Sequence, residues 1–328
     1  MRLAVPLEID AASLATWRQG VPVIELGGET MGTTWRIQLA PPPGFDRDAA
    51  SRAIEARLED ILAQMSHWRA DSVLGRFNRA SAGEWFTLPA DFSAVIEAAL
   101  AVAERSAGAF DPAIGALVDA WGHGPVTIDR PPTTEEIEQA RAVSGFLRLA
   151  YEPDTRRLRQ AGGLRLDLSG IAKGYAVDAL TALLAGMDCH HALVEIGGEL
   201  VGRGLRPDGD PWWVDLETPT QDVAPLRVAL HQLAVATSGD YVRGFHTIDP
   251  RSGMPVEHAM AVSVIHSSAM LADAWATAFS VLSPAAVHAL ATRECLYVRS
   301  TCRYGTGSTE WISPALAAMI DAEDEVPA

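Results

Sequence analysis

Cysteine is scarce in this chain: Cys189, Cys295 and Cys302 are the three in 328 residues, and none forms a Cys-x-x-Cys pair. That spacing excludes the usual zinc sites and a disulfide framework, and unpaired thiols point to a reducing compartment. Basic residues are also in deficit, 26 against 42 acidic ones, for a formal charge of −16. Such a balance argues against a nucleic-acid binder, which needs a basic face. It also makes an anionic ligand hard to hold without a local cation. No apolar run reaches the roughly 18 residues that span a bilayer. The N-terminus has one early Arg, then a short apolar run broken by Glu8 and Asp10, and does not read as a signal peptide. The expectation is a soluble, cytoplasmic protein with no transmembrane segment, although an exported form trimmed of its signal would read the same.

What is present is a globular composition, 48% hydrophobic and 21% charged, long enough for one large domain or two. Val21–Leu26 and Thr33–Leu39 read as strands around a Gly27-Gly28 turn. Asp46–Met65 reads as an amphipathic helix and Asp91–Ala107 as an alanine-rich one. Thr133 opens a third helix with a capping-box pattern. Residues 147–151 with 157–160 read as a strand pair, and Leu164–Leu168 as a further strand before a helix over Ile171–Leu184. Strands follow at 193–196, 212–216, 233–237 and 261–265. Helices are expected at 270–282 and 284–292, with a late strand at 296–299. Without a regular β-α repeat, this order favours an α+β fold. Residues 1–20 read as an N-terminal extension, 21–320 as the body and 321–328 as a loose acidic tail.

Five passages carry chemistry. DLSGIAKGYAVD (167–178) brings Asp167, two glycines and Lys173 to a helix start, where free backbone N–H groups attract phosphate. The same residues also suit an ordinary capped helix, with Asp178 an exposed helix residue. HTIDPRSGMP (246–255) is a forced turn that presents His246, Asp249 and Arg251, as a base, a substrate contact or simply a surface turn. In ADAWAT, Asp273 and Thr277 share a helix face and offer two hard oxygens of the kind magnesium takes, or cap and back-bond their own helix. GAFDP (108–112) runs to WGHGP (121–125), where His123 reads as a loop residue. Trp68 offers a flat stacking surface, or covers the end of the preceding helix.

Taken together and in order, Met31-Gly32-Thr33, the Asp71–Asn78 segment, GAFDPAIGALVDAWGHGP, DLSGIAKGYAVD, EIGGEL, ATSGDY, HTIDPRSGMP and ADAWAT resemble the ApbE family of FAD:protein FMN transferases over nearly the whole chain. The resemblance implies a single-module α+β enzyme with a T-fold-like core that binds FAD beside Mg2+. It implies transfer of FMN to a Thr or Ser of an acceptor flavoprotein, with release of AMP. Carried over by position, the Gly170 carbonyl, Asp273 and Thr277 would hold the metal. FAD would meet Met31, Trp68, Ala109, Phe110, Asp111, Asp167, Lys173 and Thr247. His246 would be the base, with Asp249 the runner-up. The segment from Tyr241 to His246 is shorter than in many relatives, and Glu195 stands where an uncharged residue is common. An Mg-dependent FAD pyrophosphatase and a non-catalytic FAD-binding protein are the competing readings. Thr306-Gly307-Ser308-Thr309 loosely resembles an acceptor sequence but is expected to be a hairpin turn.

Overall fold

A computed structural model describes residues 1–240, 245–305 and 307–320. The chain begins β1 (Arg2–Ala4), α1 (Ala11–Leu14), β2 (Ile24–Thr30), β3 (Thr33–Leu39), α2 (Arg47–Met65), α3 (Val73–Asn78), β4 (Trp85–Thr87) and α4 (Ala90–Arg105). It continues through α5 (Gly115–Ala120), α6 (Thr134–Val143), β5 (Ala150–Glu152), β6 (Arg157–Arg159), α7 (Ala172–Ala185), β7 (Ala192–Ile196) and β8 (Glu199–Arg203). The last part is β9 (Trp212–Asp215), β10 (Leu226–Leu230), β11 (Leu233–Gly239), β12 (Ala259–His266), α8 (Ala269–Val281), α9 (Pro284–Arg293), β13 (Tyr297–Tyr304), β14 (Gly307–Ile312) and α10 (Pro314–Ala317). Mixed helix and sheet make this an α+β fold.

Its spine is an eight-stranded antiparallel sheet, ordered β14-β13-β12-β11-β8-β7-β3-β2. Successive side chains on a strand face opposite ways, and here both faces are covered. Val194, Val201, Ala234, Ala236, Val262 and Val264 join the core built with α2, α4, α7 and α8. Their neighbours Leu193, Leu200, Val235 and Ile265 join a second core beneath the small sheet β1-β10-β9. Two buried faces explain why these strands read as continuous apolar runs. The first residues are part of this second layer: β1 pairs in parallel with β10, and Ala4 is fully buried.

Helix ends follow the expected chemistry. Asp46 accepts a bond from the Ala49 N–H at 3.0 Å, and Thr133 with Glu136 forms the capping box that starts α6.

Three expectations change. β2 runs through Gly27-Gly28 to Thr30, and the turn falls at Met31-Gly32, both with positive φ. The reason is Trp35 on the paired strand: a Cβ on Gly28 would lie 2.7 Å from its indole Nε1, so the glycine leaves room for the ring within the strand. Leu164–Leu168 has no partner strand. Its alternation does bury Leu164, Leu166 and Leu168, but its backbone is paired by a side chain and by two single bonds with the 112–115 segment, Asp167 N–H to the Pro112 carbonyl and Gly115 N–H to the Arg165 carbonyl, each 2.9 Å. The Asn78 amide donates to the Leu166 carbonyl at 2.9 Å and accepts from its N–H at 2.7 Å. Asp178 is no ordinary helix residue, as described below. Strands β1, β4, β8, β10 and β14 are additional to those read from the sequence. β13 and β14 pair as a hairpin from Tyr304 and Gly307 onward; Thr306, the 241–244 part of the shortened segment and the 321–328 tail lie outside the described residues.

Candidate active site

The start of α7 and the first turns of α8 cross at close range. Gly174 lets them meet, because a Cβ there would run into the Ala269 carbonyl. Asp178, one helical turn further along α7, caps α8 from outside. Its carboxylate accepts from the Ser268 hydroxyl at 2.6 Å, the Ala269 N–H at 2.9 Å and the Met270 N–H at 3.0 Å. A carboxylate on the free donors of a helix N-terminus is favourable both as a hydrogen-bond acceptor and as a charge. Nothing in the local pattern of α7 marks this role, since the capped helix lies some ninety residues away.

This crossing brings Gly170, Asp273 and Thr277 together. A Cβ on Gly170 would stand 2.6 Å from Thr277 Oγ1, so the backbone of the turn lies against that hydroxyl. Thr277 Oγ1 is also 3.3 Å from Ser238 Oγ. Asp273 is buried and accepts from the Gly174 N–H at 3.1 Å. Burial pushes its carboxyl above the usual carboxylate range, and the Lys173 ammonium opposes that shift. Lys173 forms an ion pair with Glu199, at the start of β8. Glu199 is 3% exposed, and its Oε2 has no hydrogen-bond partner. Burial pushes its carboxyl up too, Lys173 works against the rise, and the charge of Asp273 adds to it. Glu199 belongs to EIGGEL, but its link to Lys173 appears only once α7 lies against β8.

The 108–112 loop and the turn at 167 are joined beside α7. The Asp167 N–H donates to the Pro112 carbonyl at 2.9 Å, and Asp167 Oδ1 accepts from the Ser169 N–H at 2.7 Å. Ala109, Phe110 and Asp111 are buried, so the first two offer their surroundings backbone rather than side chain. Asp111 accepts from the Ala113 and Phe146 N–H groups at 2.7 and 2.8 Å. Burial nevertheless pushes its carboxyl up to about 6.

The 245–256 loop forms a second group. An Ile248–Pro255 bridge and the Gly253 N–H to Asp249 carbonyl bond of 2.7 Å close it. Trp121 Nε1 donates to the Gly253 carbonyl at 2.8 Å, and Leu117, Ile137 and Ile248 pack beneath. Loop and α5–α6 are therefore one unit. The Asp249 carboxylate is engaged by Arg251 through bonds of 2.8 to 3.0 Å, while His246 and Thr247 are half-buried beside it. His123 does lie in a loop, and its imidazole is held below its ordinary pKa by burial first and by His246 second. A cavity of about 560 Å³ opens between Trp121, His123, Phe245 and Met254. Another, about 300 Å³, between Thr16–Arg18 and His190–His191 shares no lining residue with any of these groups. Met31 sits half-buried at the β2–β3 turn. Trp68 is 65% exposed, its ring tilted 39° to that of His67 at 5.2 Å.

Among the described residues no three His, Cys, Asp or Glu side chains form a metal cluster, and no helix is long and apolar enough to cross a membrane. The available donors at the α7–α8 crossing are a carbonyl, a hydroxyl and a carboxylate, a hard-oxygen set. With an unpartnered buried carboxylate oxygen beside it, this set fits a hard cation.

The chain is similar to known proteins over most of its length. An FAD:protein FMN transferase of Vibrio cholerae is 35% identical over 90% of this chain and 92% of its own. The structure described as "Flavin Transferase ApbE from Vibrio cholerae" superposes with a TM-score of 0.85 at 34% identity, covering 90% of this chain and 99% of that one. The apo flavinyl transferase ApbE of Pseudomonas stutzeri superposes with the same TM-score at 35% identity, over 91% and 96%. The ApbE family pattern spans residues 31–298, from the Met31 turn to the start of β13. All the site passages lie inside that span, and the chain belongs to the ApbE family.

Proposed function

We propose that this protein is an FAD:protein FMN transferase, which moves the FMN half of FAD onto a Thr or Ser hydroxyl of an acceptor flavoprotein and releases AMP. The observation that carries the reading is the contact of Gly170 with Thr277 beside buried Asp273, at the opening of α7 where Lys173 also stands. These oxygens would hold Mg2+, which supplies charge neutralisation at the diphosphate and at the leaving phosphate. Lys173 binds and orients the diphosphate at the positive end of the α7 dipole. Asp167 and the backbone of 109–111 border the same end of α7, and Met31 and Trp68 contact the rest of the dinucleotide. Thr247 contacts FAD, and His246 faces the acceptor side.

His246 takes the proton of the acceptor hydroxyl as its oxygen forms a bond to the FMN phosphorus. The phosphorus–oxygen bond of the diphosphate bridge breaks, and AMP leaves with the bridging oxygen. Asp249 is less suited to this task because Arg251 already occupies its carboxylate. Its part is to shape the turn.

The test is incubation of the purified protein with FAD, Mg2+ and a candidate flavoprotein. Flavin fluorescence retained on the denatured acceptor, with AMP in equal amount, supports the reading. Free FMN and AMP with an unlabelled acceptor would replace it by a pyrophosphatase, and unchanged FAD by a binding protein.

A further inference from the structure

Glu199 has a role that neither capping nor packing explains. It is buried at 3% exposure, one of its oxygens is bonded to Lys173 and the other has no partner. A buried acceptor left unmade costs about 1–3 kcal/mol, more for a charged group. The cost is raised by Asp273, whose negative charge opposes that of Glu199. Two buried carboxylates thus share the Lys173 ammonium. Fully ionised, these three groups would carry one negative charge in excess, and burial, with that repulsion added at Glu199, pushes both carboxyls up. A residue kept only for structure would be better as an amide or an apolar side chain here.

We propose that Glu199 is a positioning residue for the divalent cation. It fixes Lys173 and supplies the negative charge that leaves Asp273 available to the metal. The inference rests on the cation site proposed above. In the metal-free protein keeping both carboxylates ionised at the α7–α8–β8 junction is costly, and an arriving cation offsets that cost. Apo stability and cation affinity are therefore opposed at this position, which a merely structural role would not produce.

Glu199→Gln retains the shape and removes the charge. At an effective dielectric constant near 20, a unit charge lost within several ångströms of a divalent ion weakens its binding by about tenfold or more. The experiment is calorimetric titration of the full chain with MgCl2 alone, with thermal melts in its absence and presence. The expected result for E199Q is an unchanged or higher melting temperature without metal, and Mg2+ affinity reduced by at least about tenfold. Lys173→Met provides the opposite sign: a lower melting temperature without metal and tighter Mg2+ binding. It also keeps the proposal testable should E199Q not fold.

Wild-type Mg2+ affinity in E199Q would overturn the proposal, as would unaltered affinity in K173M. Asp273→Asn separates this failure from that of the cation site. A wild-type protein with no response to Mg2+, or one whose response survives in D273N, removes the site itself and the role of Glu199 with it.

Discussion

The α7–α8 junction and the 245–256 loop carry two groups of site residues, and they are built in opposite ways. At the junction, regular elements cross over Gly174, polar groups are buried, and Asp178 fastens one helix start to the other. The loop is held by a two-residue bridge, one indole bond and an ion pair at its surface, and it leaves Phe245 45% and Met254 47% exposed. The lesson is a division of labour. Charges that must stay put are placed on packed helices, whereas the apolar surface left open is on a loop, where shape can adapt at little cost to the core.

The strongest way to sharpen that contrast is His246→Ala. The loop variant should fold like the parent while the transfer rate falls by about 10²–10⁴, read from acceptor labelling beside an unchanged melting curve. Gly174→Ala should do the reverse. Its methyl group meets a carbonyl that cannot move without α8, and urea unfolding should show a loss of about 3 kcal/mol or more. A G174A protein as stable as the parent would break the picture of a tightly packed junction.

The buried 108–112 loop adds a pH test. The Asp111 carboxyl is raised from 3.8 to about 6 in the folded protein, so the native state holds its proton more tightly than the unfolded chain. Its favourable contribution is complete below pH 4 and is lost as pH rises through 6. Unfolding free energies without ligand should carry a component falling by up to about 3 kcal/mol over that window, and Asp111→Asn should flatten it.

Asp178→Ala removes three bonds from the start of α8 and should cost about 2 kcal/mol in a urea titration. The smallest effect is expected from Asp249→Asn. If Asp249 only shapes the turn, the transfer rate should fall less than about tenfold, outside the range of a lost base. A loss equal to that of His246→Ala would reassign the base.

Helices with one apolar face and a side-chain cap were legible from the sequence, because 3.6-residue spacing and capping are local. Asp46 and Thr133 illustrate it. The joint presence of Asp273 and Thr277 on one helix face was equally local. Less legible was anything that depended on a partner from elsewhere. The Leu164–Leu168 segment alternates like a strand, yet its backbone is paired by the Asn78 amide and by the loop backbone at Pro112 and Gly115 rather than by a neighbouring strand. Gly27-Gly28 looks like a turn until Trp35 is laid across it. Asp178 and Glu199 carry no mark of the residues they serve, Ser268–Met270 and Lys173.

By itself, then, the sequence determined the family, the α+β class, the helix starts and the kinds of chemical group available. Those follow from residue identity and short-range periodicity. Only the tertiary structure decided which carboxylate caps a helix, which one holds Lys173 and which is tied up by Arg251. A carboxylate's role is set by the charges and donors within a few ångströms of it, and in this fold those come from residues 91 and 99 positions away at Asp178 and Asp273.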